Sequence, residues 1–125
     1  MDVLIVESSA ELAQLWQRHL VRQGADVLIA ASGDEAVSLL TERAFDVIIL
    51  DLVLAKGSAL AVADYVQFRL PDSSVIFVTD TTFFSDGSIF SLNANARAFV
   101  RTSTPPEDIA AMVEHYGRHD QGASA

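Results

Sequence analysis

The 125 residues include no cysteine, three prolines, six glycines, and eight lysines and arginines against seventeen acidic residues. The lack of cysteine excludes disulfides, thiolate-bound zinc and cysteine nucleophiles. The shortage of basic residues leaves a net charge of −9. That argues against nucleic acid or an anionic membrane as a direct partner, because both need a basic face. A basic protein or a bound cation suits the chain better. No stretch reaches the roughly 18 uncharged apolar residues of a membrane span. Met1-Asp2-Val3 lacks the basic start of a secretory signal, so the expected compartment is cytoplasmic. Neither G-x-x-x-x-G-K-[ST] nor G-x-G-x-x-G occurs, and no glycine-rich loop is placed to cradle a nucleotide phosphate.

What is present is a rhythm. Apolar runs recur at Val3–Val6, Val27–Ala31, Val47–Leu50, Val75–Val78 and Ala98–Val100. They are continuous rather than alternating, the pattern of strands covered on both faces. Helical patterns lie between them. Leu12, Leu15, Trp16 and Leu20 form an apolar stripe opened by a capping box, Ser8 to Glu11, and stopped at Gly24. A second box, Ser32 to Glu35, opens a helix burying Ala36, Leu39 and Leu40. A third helix runs from about Ser58 to Leu70 with Leu60, Ala63 and Val66 inward. A fourth spans about Ser85 to Leu92. In the last, Thr104 caps, Pro105 takes the first turn, Glu107 closes the box, and Ile109, Met112, Val113 and Tyr116 face inward. Five β-α repeats give one parallel, three-layered α/β domain over 1–118, with 119–125 as a disordered tail.

Ligands of open α/β sheets bind beyond the carboxyl ends of the strands. The residues there are Glu7-Ser8, Ser32, Asp51, Thr79-Asp80 and Arg101-Thr102. Glu7, Asp51 and Asp80 converge on one rim, and gathered carboxylates need a cation or a proton. Their oxygens suit Mg²⁺, which takes one or two carboxylates plus waters. Asp51 is also placed to accept a phosphoryl group as nucleophile. For Asp80, metal ligand, loop cap and solvated turn residue all remain open.

The segments VLIVES, DVIILDLVLAKGSAL, VIFVTD and ARAFVRTSTPPEDI resemble the receiver domain of two-component response regulators, from Val3 to about Tyr116. The resemblance implies a flavodoxin-like, doubly wound (βα)5 sandwich with a parallel sheet in the order 2-1-3-4-5. It implies a signalling domain rather than an enzyme, with Asp51 as the phosphoacceptor. Thr79 falls on the hydroxyl that contacts the phosphoryl group and Phe99 on the aromatic switch. Glu7, Asp51 and the Val53 backbone carbonyl fall on the Mg²⁺ ligands, with Asp80 a further candidate. The implied partners are a histidine kinase or phosphotransfer protein, and an output protein or a second copy of the chain. The interface is expected on the fourth helix, last strand and last helix, with Phe83, Phe84, Ile89 and Phe90 as candidates. For these four, a locally rearranged core is the competing reading.

The departures bear on chemistry. The second acid of the pair is Ser8, better explained as the helix cap. The phosphate-pairing lysine is Thr102, and the proline after it is Ser103. The small residue after the hydroxyl is Asp80. The loop proline and glycine after the acceptor are Ala55 and Ala59. With a lysine lost and an acid gained, an incoming phosphoryl group of about −1.5 to −2 charge meets a more negative site, so Mg²⁺ is expected to be held weakly. Two rivals follow: a phosphorylation-independent pseudo-receiver serving as an interaction or dimerisation module, and a flavodoxin-like cofactor binder. His115 and His119, at helical metal-ligand spacing, are a weaker idea.

Overall fold

The computed structural model describes residues 1–80 and 95–123, with side chains through residue 117. The elements are β1 (Asp2–Val6), α1 (Ala10–Arg22), β2 (Asp26–Ala30), α2 (Gly33–Glu42), β3 (Val47–Asp51), α3 (Ala59–Arg69), β4 (Ser74–Val78), β5 (Ala96–Val100) and α4 (Pro106–Ala123). The helix expected near Ser85–Leu92 and the side chains of Phe83, Phe84, Ile89, Phe90 and His119 lie outside the described residues.

The strands form one parallel sheet in the order β2-β1-β3-β4-β5. Side chains alternate across it and feed two apolar layers. Leu4, Val6, Ile48, Leu50, Val75 and Phe77 pack with Ala36, Leu40, Val62 and Val66 under α2 and α3. Val3, Ile5, Val47, Ile49, Ile76 and Val78 pack with Trp16, Leu20, Ile109 and Val113 under α1 and α4. Each large aliphatic side chain sealed in this way contributes about 1.5–3 kcal/mol. This covering on both faces is why β3 and β4 are buried along their whole length.

Two of the five runs behave differently because they are edges. β2 alternates exposed and half-buried positions until Ala30, and Leu28 is 36% exposed. On β5, Arg97 is exposed and its neighbours are half-buried. An edge strand has a neighbour on one side only, and helices cover it less completely.

Local signals place two of the four described helix starts. Ser32 and Ser58 cap α2 and α3 by accepting from the N–H groups of Glu35 and Ala61. The starts of α1 and α4 depart from the sequence reading. Ser9, not Ser8, caps α1, accepting from Leu12 N–H. At α4 the carbonyl of Pro105 accepts from Asp108 and Ile109, so Pro105 occupies the cap and Pro106 the first turn, one residue later than Thr104 suggests. The α4 backbone stays helical to Ala123, beyond Gly117. Leu60, expected inward, is 47% exposed. The core under α3 is filled by Ala59, Val62, Ala63 and Val66, which turn Leu60 outward.

The pole opposite the strand ends is closed by polar bonds. The Asn95 amide donates to the carbonyls of Leu70, Pro71 and Ser73 at 3.1, 3.2 and 2.7 Å. Ser73 Oγ donates to the Phe45 carbonyl, and Arg43 pairs with Asp2 at 2.7 Å.

Candidate functional site

β1 and β3 run side by side with Val6 opposite Leu50. One step further, the same register brings Glu7 beside Asp51 at the carboxyl ends of two central strands. Both continue the odd-numbered rows that face α1. They are 3% and 7% exposed, so two acids sit together where water is nearly excluded.

Each carboxyl group is oriented by backbone. Ser9 N–H, at the start of α1, donates to Glu7 Oε2 at 3.0 Å. Val53 N–H donates to Asp51 Oδ1 at 2.8 Å, so the loop leaving β3 folds back on its own carboxylate. Glu7 Oε1 is buried and, among the described residues, has no partner. Two ionised carboxylates can only accept, and a proton on Glu7 would make the pair a donor and an acceptor. Burial, followed by the hydrogen bond and negative charge of Asp51, raises the Glu7 pKa from 4.5 to about 7; the Ser9 and Ser8 amides oppose this.

A loop, residues 52–58, walls one side. Ser8 Oγ accepts from Ala55 N–H at 2.8 Å. Gly33 N–H donates to the Lys56 carbonyl at 3.1 Å. Gly57, at φ +83°, lies so close to Gly33 that a Cβ on it would stand 2.9 Å from the Gly33 nitrogen. Only glycine fits there on both counts.

Thr79 is 1% exposed at the end of β4, and its N–H donates to the Val100 carbonyl at 3.1 Å. Phe99 pairs in register with Phe77 and packs, half-buried, against the α2–α3 layer. Val53 is 55% exposed. Asp80 and Thr102 follow β4 and β5. With Ser9, Leu12, Leu15 and Ser103 they line an open cleft of about 420 Å³ between α1 and the ends of β4 and β5. Among the described residues, no three His, Asp or Glu side chains gather closely enough to hold a metal ion. Glu7 and Asp51 are thus the acidic centre among the described residues.

Sequence reasoning missed three contributors: Ser9 as the donor to Glu7, the Ser8–Ala55 bond, and the Gly33–Gly57 contact. The Ser8-x-x-Glu11 spacing favoured the wrong serine. The partner of Gly57 is 24 residues away in sequence and carries no local mark.

The donor set fits Mg²⁺. Among the described residues a buried Glu7 oxygen has no partner, and a second carboxylate lies beside it. The chain matches the family model described as the response regulator receiver domain over residues 3–114. It is 32% identical over 111 residues to the response regulator protein PilR of Pseudomonas aeruginosa, covering 89% of this chain and 24% of PilR. It is 35% identical over 75 residues to the regulatory protein LuxO of Vibrio vulnificus, covering 60% of this chain and 17% of LuxO. The chain thus spans about a quarter or less of these relatives. A CheY-like receiver domain protein from Methanospirillum hungatei superposes with a TM-score of 0.88 at 22% identity, covering 98% of this chain and 97% of that one. The receiver domain of a LuxO repressor protein from Vibrio parahaemolyticus gives 0.86 at 22%, covering 98% and 94%. At these identities the likeness is one of fold.

Proposed function

The chain belongs to the response regulator receiver domain family, and from that premise we propose that it is the receiver of a two-component phosphorelay, with residues 1–118 as the receiver unit and Asp51 as the phosphoacceptor. The observation that carries this reading is the pairing of Asp51 with Glu7 at the carboxyl ends of β3 and β1, oriented by Val53 N–H and Ser9 N–H.

In the transfer, an Asp51 carboxylate oxygen attacks the phosphorus of a histidine phosphoramidate. The P–N bond breaks and the departing imidazole takes a proton. Val53 N–H fixes the carboxylate for that approach. Glu7, Asp51 and the Val53 carbonyl would hold Mg²⁺, which when bound supplies the positive charge that offsets phosphoryl oxygens. Thr79 and Thr102 would contact the new phosphoryl group, and Thr79 with Phe99 would relay its arrival to the β5–α4 face. Asp80 sits on the outer cleft and adds negative charge near the path of entry.

No basic side chain follows β5 at the Thr102 position. An ion pair at about 4 Å is worth roughly 4 kcal/mol at an effective dielectric of 20, so its loss slows transfer by up to about three orders of magnitude. Asp51 is accordingly a slow acceptor. Receivers take the phosphoryl group from a histidine kinase or phosphotransfer protein and signal to an output partner. The test is incubation with acetyl phosphate and Mg²⁺ followed by intact mass. One phosphate should add, and Asp51→Asn should take up none. A chain that stays unmodified over a day, with Mg²⁺ saturating, would instead be a pseudo-receiver that signals by contacts alone.

A further inference from the structure

Two departures from the receiver pattern meet in space. Where the pattern has an acid, this chain has Ser8; where it has a loop proline, this chain has Ala55. The Ser8 hydroxyl accepts from the Ala55 N–H at 2.8 Å, across 47 residues of sequence. A proline in that place would have no N–H to give. Together the two substitutions create one hydrogen bond that the usual loop proline forbids.

We propose that Ser8 is a positioning residue whose hydroxyl, in place of a metal ion, holds the β3–α3 loop against the acidic pair. Three tethers then define that loop without any ion. Val53 N–H binds Asp51 at its base, Ala55 N–H binds Ser8 at its middle, and the Lys56 carbonyl binds Gly33 N–H at its far end. Ser8 is released for this task because Ser9 has taken over the capping of α1. A hydroxyl is a poor ligand for Mg²⁺ beside carboxylates, but it is a good acceptor for one amide. The exchange gives up metal affinity at the second position and gains a loop whose shape no longer depends on the metal. The purpose given to the loop rests on the receiver reading, while the tether does not. Its test uses no phosphodonor, so the two can fail separately.

The test is amide hydrogen exchange by NMR on the full chain in EDTA, with the Ile49 and Leu50 amides of β3 reporting an intact fold. Ser8→Ala should speed exchange at Ala55 about three- to tenfold, the effect of one hydrogen bond, and Ser8→Thr, which keeps the hydroxyl, should restore it. Adding 20 mM Mg²⁺, well above a Kd of about 1 mM, should change the wild-type Ala55 rate by less than about twofold. In a chain carrying Ala55→Pro, adding Ser8→Ala should leave the Lys56 and Gly57 rates unchanged, because the bond is already gone. The proposal is overturned if Ser8→Ala leaves Ala55 protected, or if Mg²⁺ slows the wild-type Ala55 amide tenfold or more. Equal loosening of Lys56 and Gly57 by Ser8→Ala in the wild-type and Ala55→Pro backgrounds would also overturn it, since Ser8 would then act through another contact.

Discussion

Among the described residues Glu7 carries the one resolved pKa shift, and its sign can be worked through. Its pKa lies near 7 in the folded chain and at its ordinary 4.5 when unfolded. The folded state therefore keeps the proton to higher pH. The stabilisation is complete below about 4.5 and drains away as pH rises through 7. Relative to Glu7→Gln, the wild type should lose on the order of 2 kcal/mol between pH 5 and pH 8 in metal-free buffer, read by urea denaturation at each pH. Parallel curves for the two proteins would show that the pair is less desolvated than its burial indicates. Thr102 offers a complementary change. It lines the cleft beside Asp80, so Thr102→Lys should raise the rate of Asp51 phosphorylation by acetyl phosphate at least about tenfold, the effect of some 1.4 kcal/mol of added attraction. An unchanged rate would mean that the side chain at 102 does not reach the acceptor.

Among the elements, a helix is decided by its buried face. On α1, Ala13, Trp16 and Leu20 are sealed against the sheet, and Leu20→Ala should cost about 2–5 kcal/mol. On α3, Phe68 is 78% exposed, and Phe68→Ser should stay within about 0.5 kcal/mol. The contrast is checked by thermal unfolding of both variants. The turn between α3 and β4 depends on Asn95, a buried side chain from just before β5 that satisfies three carbonyls at once. Asn95→Ala removes that donor, leaving the Leu70 carbonyl only the Ser73 N–H, and should cost about 2–4 kcal/mol, a fall in Tm of roughly 10 °C. Capping shows how far such local signals reach. Ser8 and Ser9 are adjacent and equally able to cap α1. Ser9 takes the cap while Ala55 holds the Ser8 hydroxyl, a contact made by another loop.

Across the whole molecule, a net charge of −9 makes the protein sensitive to ions. Raising NaCl from low to physiological strength should increase the unfolding midpoint by screening self-repulsion. Mg²⁺ should add to this only through the acidic pair. With a Kd near 1 mM, 10 mM Mg²⁺ contributes about 1.4 kcal/mol, absent in Asp51→Asn when NaCl is adjusted to the same ionic strength.

The parallel sheet and the positions of Asp51, Glu7 and Thr79 at strand ends were legible in the chain of amino acids, while the strand order came from the resemblance to receiver domains. Covered strands demand unbroken apolar runs, and parallel strands demand helical crossovers whose stripes repeat at 3.6 residues. These are short-range patterns, and local chemistry writes them. What lay beyond such patterns were the contacts between loops. Ser8 binds Ala55, and Gly57 meets Gly33. Each depends on where two separate turns come to rest, a matter of packing between segments that no neighbouring residue encodes.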